Sequence, residues 1–336
     1  MKICFYAPLK DKEAFHYNQF YAQDVALLQA LGVEPVLATT WKEIPWDADL
    51  IFVWWWTWAF LPLIKAKLRG RPVVITGVLD LDNPMPGIGY FSRPWHQKLL
   101  IWLALRLADR NVFISEFEYG RSKDEFGLKN ALYAPLVIDA SLHPFSSAPR
   151  QPLLFTVAWL EGDNPVRKGV DLAIRAHAKL LDRFPDLEFV VAGAHGSGLD
   201  SLKALVESLG TSHRVQFPGR ISHEEKVRLL QACGAYLQPS LFEGFGVAAA
   251  EAMIAGAPVV ACPVGTLPEV LGPDAFFTRE RSVEGLVEAV QEALTQASPE
   301  RLARASQRIQ DRYSFSQRVA DLHPVLTRLL GKAPKA

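Results

Sequence analysis

Two carboxylates separated by seven residues, Glu243 and Glu251 in the run Glu-Gly-Phe-Gly-Val-Ala-Ala-Ala-Glu, are the residues of this chain best placed to do chemistry. The first stands against a Gly-Phe-Gly turn and the second lies inside an alanine-rich apolar helix. The run continues through Ala-Met-Ile-Ala to a stop at Gly256 and a buried strand from Pro258. Backbone N–H groups at a helix start attract phosphate, and glycine lets a ligand approach the main chain closely. Carboxylates accept hydrogen bonds from hydroxyls, the donors that a sugar offers. A ligand with hydroxyls beside an anionic group, such as a nucleotide-sugar, suits both features.

The surrounding residues carry a resemblance. Ser240-Leu241-Phe242-Glu243-Gly244-Phe245-Gly246, then Glu251-Ala252-Met253, Gly256-Ala257-Pro258-Val259-Val260 and Gly265-Thr266-Leu267-Pro268-Glu269-Val270 resemble the donor-site segment of the family 4 retaining glycosyltransferases. The resemblance implies the GT-B architecture: two Rossmann-like parallel-sheet domains facing across a cleft, with a C-terminal helix crossing back to the first. It also implies that Glu243 and the Gly244, Phe245 and Gly246 backbone hold the donor sugar, and that Glu251 holds the ribose. Lys168, in Arg167-Lys168-Gly169, matches a family Lys-Gly, and a cation there neutralises charge on a departing nucleotide. Arg167, Arg220, Gly265 and Thr266 complete the expected donor site. The implied reaction moves a hexose from a nucleotide diphosphate-sugar to a hydroxyl acceptor, which is a glycan, a lipid-linked glycan or a small molecule. The donor is a substrate, no cofactor is required, and no metal site is expected.

The chain also departs from the family pattern. Ala158-Trp159 stands where a Gly-Arg pair is usual, and Arg167 or Arg220 is the candidate substitute for the missing cation. The first strand runs into Ala7-Pro8-Leu9-Lys10 without the family glycine pair, and Ile75-Thr76-Gly77-Val78-Leu79-Asp80 lacks the family histidine. Asp80, Asp82 and Trp56 are therefore the acceptor-side candidates, from their place at strand ends. These departures leave two other readings open: a degenerate member that binds a nucleotide-sugar or glycan without transfer, and another GT-B-like enzyme such as a nucleotide-sugar epimerase or a phosphorylase.

The rest of the chain must position these residues. Its 336 residues, 49% hydrophobic and 21% charged, suit two α/β domains with sizeable cores. A net charge of zero gives no reason to expect nucleic acid as a partner. The cysteines Cys4, Cys233 and Cys262 lie in apolar patterns and read as buried thiols in a reducing compartment, so a cytoplasmic location is expected, with the inner membrane face compatible. Alternating patterns predict strands near 2–7, 34–38, 49–54, 72–76 and 111–115 in the first half, with helices near 18–31, 58–68, 94–108 and 117–126. The second half predicts strands near 153–158, 187–193, 214–217, 235–239, 258–262 and 275–277. Its helices are expected near 168–183, 198–209, 223–233, 246–255, 283–296 and 299–312, and the last amphipathic stretch is 315–330. The expected domains are 1–145 on the acceptor side, 150–313 for the donor and 314–332 for the returning helix.

Aromatic residues raise the question of a membrane. Leu50 to Ile64 is apolar for fifteen residues, too short to span a bilayer. Two of the four indoles in Trp54-Trp55-Trp56-Thr57-Trp58 are expected in the core. The helix from Trp95 to Arg110 places Trp95, Trp102, Lys98, Arg106 and Arg110 among leucines, a pattern compatible with a peripheral membrane contact as well as with a core-facing helix.

Overall fold

Short β-branched and aromatic runs form the strands, and stretches with a period near 3.6 form the helices between them. The computed structural model describes residues 2–331; Met1 and the tail from 332 onward, where the expected third segment ended, lie outside the described residues. The chain divides into two units, one running to Val137 and resuming at Tyr313, the other spanning Ile138–Arg312.

The first unit holds a six-stranded parallel sheet in the order β2-β1-β3-β4-β5-β6. Its strands are β1 (Ile3–Tyr6), β2 (Val36–Ala38), β3 (Leu50–Trp54), β4 (Val73–Gly77), β5 (Arg110–Phe113) and β6 (Ala131–Tyr133). Its helices are α1 (Ala14–Tyr17), α2 (Gln19–Ala30), α3 (Phe60–Lys67), α4 (Trp95–Leu107) and α5 (Glu116–Phe126). β1, β3 and β4 are buried along their whole length, as strands covered on both faces must be. The second unit pairs β12-β11-β10-β7-β8-β9, again all parallel. These strands are β7 (Gln151–Val157), β8 (Glu188–Ala192), β9 (Val215–Gly219), β10 (Cys233–Gln238), β11 (Val259–Ala261) and β12 (Phe276–Phe277). The helices here are α6 (Asn164–Lys168), α7 (Val170–Leu180), α8 (Leu199–Ser208), α9 (His223–Ala232), α10 (Val247–Ile254), α11 (Leu267–Leu271), α12 (Val283–Gln296) and α13 (Pro299–Arg312). The final helix, α14 (Phe315–Leu329), belongs to the first unit. Two Rossmann-like parallel-sheet domains are the architecture that the sequence pattern led us to expect.

One buried ion pair fixes α14. Arg318 is wholly buried and grips Asp24 of α2 through two bonds, Nε to Oδ1 at 2.7 Å and Nη2 to Oδ2 at 3.0 Å. Its Nη1 donates to the carbonyls of Ala134 and Pro135, each at 2.8 Å, and Asp24 also accepts from Trp54 Nε1 at 2.8 Å. A buried charge needs this full set of partners.

The tryptophan run splits as expected, with Trp54 and Trp56 buried and Trp58 at the surface. Trp56 is an acceptor-side candidate that the fold contradicts. Its ring stacks on Phe113 with centroids 5.0 Å apart, and its Nε1 donates to Asn111 Oδ1 at 2.8 Å. No face of that indole is left for a sugar.

Candidate active site in the C-terminal domain

Glu243 follows β10, and three side chains converge on its Oε1. Lys168 Nζ donates at 2.6 Å, Gln238 Nε2 at 2.7 Å and Ser240 Oγ at 2.7 Å. Burial alone would raise this carboxyl, but the Lys168 charge and hydrogen bond, with Ser240, outweigh it and hold it below the usual carboxylate range. The group is an anion at neutral pH, and all three of these partners sit on one oxygen.

Local backbone geometry holds the two halves of this pair together. α6 ends at Lys168, and Gly169, at φ 71°, ends that helix and begins α7. A Cβ on Gly169 would come within 2.2 Å of the Pro239 carbonyl, and the Arg167 carbonyl accepts from Leu241 N at 2.8 Å. The Lys168 loop is thus laced to the Glu243 loop by close backbone contact. On the other side, Thr266 donates to the Glu243 carbonyl through its N at 3.1 Å and its Oγ1 at 3.2 Å. Gly265 presses on the same carbonyl so closely that a Cβ would stand 2.3 Å away. Gly265 and Thr266 therefore position the Glu243 loop, with the buried Thr266 hydroxyl already engaged. Gly244 and Phe245 lead to Gly246, at φ 86°, which begins α10, and the first N–H groups of α10 have no acceptor within the helix.

Glu251 lies within α10, buried, with Lys226 of α9 donating to its Oε2 at 3.1 Å. His143 Nε2 stands 3.7 Å from Glu251 Oε1 without a hydrogen-bond partner, while its Nδ1 faces the Asp139 carbonyl at 3.2 Å. Burial pushes the His143 imidazole below its ordinary value, and the Glu251 charge opposes that shift. Tyr236 of β10 joins the two carboxylates electrostatically: burial raises its hydroxyl, and both Glu251 and Glu243 add to the rise. Its hydroxyl donates to Gln238 Oε1 at 3.2 Å, and Gln238 in turn donates to Glu243. One polar network therefore backs the first carboxylate and reaches toward the second.

The remaining candidates fall around this centre or away from it. Arg167 turns back on Asn164 Oδ1 at 2.6 and 3.0 Å. Arg220, just after β9, is exposed. Trp159, in the place of the family cation, is 59% exposed. The Gly193–Gly198 loop is tied to the segment after β7, where Glu161 accepts from Ser197 N at 3.0 Å and Ser197 Oγ at 3.1 Å. In the first unit, Asp82 is engaged by Arg121 through two bonds of 2.9 Å, and Asp80 adopts a left-handed φ of 54°. The N–H groups of Leu79 and Asp80 both donate to Glu118, at 2.9 and 2.6 Å. Sequence reasoning assigns no site role to Gln238, Ser240, Lys226 or His143. Ser240 lay inside the motif without an assigned role. Lys226 and His143 reach Glu251 from 25 and 108 residues away in sequence, a proximity that only the fold creates.

Known proteins resemble this chain in sequence over its second unit and in fold over nearly its whole length. Residues 150–312 match the family profile of glycosyl transferases group 1. A segment of 105 residues is 46% identical to the D-inositol 3-phosphate glycosyltransferase of Mycobacterium sp. (strain KMS), covering 30% of this chain and 23% of that protein. A longer match of 250 residues, 28% identical, aligns 71% of this chain with 53% of the phosphatidylinositol N-acetylglucosaminyltransferase GPI3 subunit of Saccharomyces cerevisiae (strain YJM789). These alignments thus span about half or less of the length of the curated relatives. Among solved structures, sucrose-phosphate synthase from Thermosynechococcus elongatus superposes with a TM-score of 0.81 at 18% identity, over 98% of this chain and 99% of that one. Anabaena HepE in complex with UDP and glucose gives 0.76 at 17% identity, over 98% and 100%. At such identities the structural likeness speaks for the fold.

Proposed function

We propose that this protein, whose residues 150–312 match the profile of glycosyl transferases group 1, is a retaining hexosyltransferase. It moves a hexose from a nucleotide diphosphate-sugar to a hydroxyl acceptor. The observation that carries this reading is the buried Glu243 carboxylate, kept anionic by Lys168 beside the start of α10.

In this mechanism Glu243 accepts hydrogen bonds from hexose hydroxyls through the oxygen that Lys168, Gln238 and Ser240 leave open. Lys168 and the free N–H groups at the α10 start stabilise the negative charge that grows on the diphosphate as the glycosidic bond breaks. Glu251, braced by Lys226, accepts from the ribose hydroxyls. The acceptor hydroxyl attacks the anomeric carbon, and its proton passes to the departing diphosphate, so donor and acceptor supply every atom of the exchange. No protein nucleophile is assigned. HepE, whose structure was solved with UDP and glucose, makes uracil the first base to try, and the mycobacterial relative's name makes phosphorylated cyclitols a first acceptor class.

The test is turnover by Glu243→Gln. The amide keeps the volume but loses the charge, and kcat should fall by about two to three orders of magnitude, with the native circular-dichroism spectrum retained at the assay temperature. Normal turnover in that variant would refute the role. One observation favours a second reading, binding without transfer: Trp159 stands exposed where the family carries a cation. Donor binding with no product across a panel of acceptors would select it.

A further inference from the structure

Two stripes of large apolar side chains lie exposed on the first unit. On α3 and its end, Leu61, Ile64 and Leu68 recur at helical spacing, with Leu68 72% exposed. On α4, Trp95, Leu99 and Trp102 do the same, with Trp95 74% exposed. α4 buries its opposite side, through Ile101, Ala104 and Leu105, so the exposed stripe is additional to its core contact. The two helices pack against each other. They connect β3 to β4 and β4 to β5, neighbours in one parallel sheet, and right-handed crossovers put both on the same sheet face. Their outward stripes therefore form one surface. Single exposed leucines are ordinary, whereas six large apolar residues in two adjoining stripes mark an interaction site.

Charge decides what that site takes. No Asp or Glu occurs between Asp49 and Asp80, or between Asp82 and Asp109, the two segments that build the surface. Lys67 and Arg71 are neutralised by Asp109 and Asp49 at its margin. Among the described residues Arg69, Lys98 and Arg106 form no ion pair; Arg69 lies over the Trp46 ring at 5.5 Å, and Arg106 over the Trp102 ring at 5.5 Å, continuing the α4 stripe by one turn. A second copy of this chain would bring like charge against like charge. Indoles and leucines interleaved with unpaired cations, and free of carboxylates, match the interface of an anionic bilayer. No described helix is long and apolar enough to cross a membrane, so any such contact is with its surface.

We propose that the α3–α4 face docks the protein on anionic lipid, with Trp95, Leu99 and Trp102 entering the headgroup layer and Lys98 and Arg106 pairing with lipid phosphates. This stands apart from the donor reading, since it involves the other unit. The test is co-sedimentation of the full chain with vesicles of phosphatidylcholine alone and of phosphatidylcholine mixed with phosphatidylglycerol. The protein should pellet with the anionic vesicles only, and less so as salt is raised. The pairs Trp95→Ser with Trp102→Ser, and Lys98→Glu with Arg106→Glu, should each lower the partition roughly tenfold or more. Their circular-dichroism melting curves should match wild type, because the side chains are at the surface. Failure to pellet with anionic vesicles, equal binding to neutral ones, or unchanged partition in both variants would overturn the proposal. So would a concentration-dependent dimer that the same substitutions abolish, which would assign the face to a second copy.

Discussion

Glu243 is an anion held inside the protein by one lysine, and that arrangement has a cost if it is disturbed. Lys168→Met would leave the carboxylate buried without its counter-charge, and losing one partner of a buried pair destabilises by about 3–5 kcal/mol. Lys168 keeps some solvent contact, so the lower part of that range is expected from urea titration. Lys168→Met combined with Glu243→Gln should recover part of the loss, and a double-mutant cycle measures how much. A titratable residue away from the site gives the pH dependence. Burial pushes His177 below its ordinary value, while its Nε2 meets the Leu187 carbonyl at 2.8 Å. The unfolded chain then binds more protons than the folded one once pH falls below about 6.5, so stability declines with falling pH in that window. His177→Gln should make that slope shallower in denaturant titrations at pH 7.5 and 5.5, and an unchanged slope would remove His177 as its source. At this scale the sequence showed the two glutamates and Lys168, because motif and spacing are local. It did not show Gln238 as a ligand of the same oxygen, or Lys226 and His143 against Glu251, because those contacts exist only once β10, α9 and the segment before β7 are folded together.

Among the elements, the short ones carry the geometry of the site. α6 is only five residues long and α11 likewise, and neither was expected, since hydrophobic periodicity needs a longer window to register. Yet α6 brings Lys168 to Glu243, and the turn into α11 clamps the Glu243 carbonyl. Gly265→Ala tests that clamp: the new Cβ would meet the carbonyl at 2.3 Å, at a φ of 54° that side chains disfavour. A stability loss of about 1–3 kcal/mol is expected, accompanied by weaker donor binding, and a variant as stable as wild type would show the clamp to be dispensable. Longer elements were legible. β3, β4, β8 and α12 lie within a residue or so of their expected spans because their apolar runs are continuous or periodic. β6 was missed, since Ala-Leu-Tyr offers three residues and no alternation.

At the scale of the whole molecule, two parallel-sheet units of similar construction were readable from the alternation of strand and helix patterns, whereas the anchoring of α14 was not. Arg318 reads in sequence as one more charge on an amphipathic helix, and only the fold shows it wholly buried against Asp24 from 294 residues away. Asp24→Asn leaves that guanidinium without its counter-charge and should cost about 3–5 kcal/mol in urea unfolding, with little effect on nucleotide binding by the other unit. The central claim, that the second unit binds a nucleotide diphosphate-sugar through Glu243 and Glu251, is tested most directly by calorimetric titration. UDP, GDP and ADP, each free and as hexose conjugates, would be titrated into wild type, Glu243→Gln and Glu251→Gln. The account predicts that one base is favoured, that Glu243→Gln weakens the sugar conjugate while sparing the free nucleotide, and that Glu251→Gln weakens both. Binding of no nucleotide, or equal binding by wild type and both variants, would contradict it.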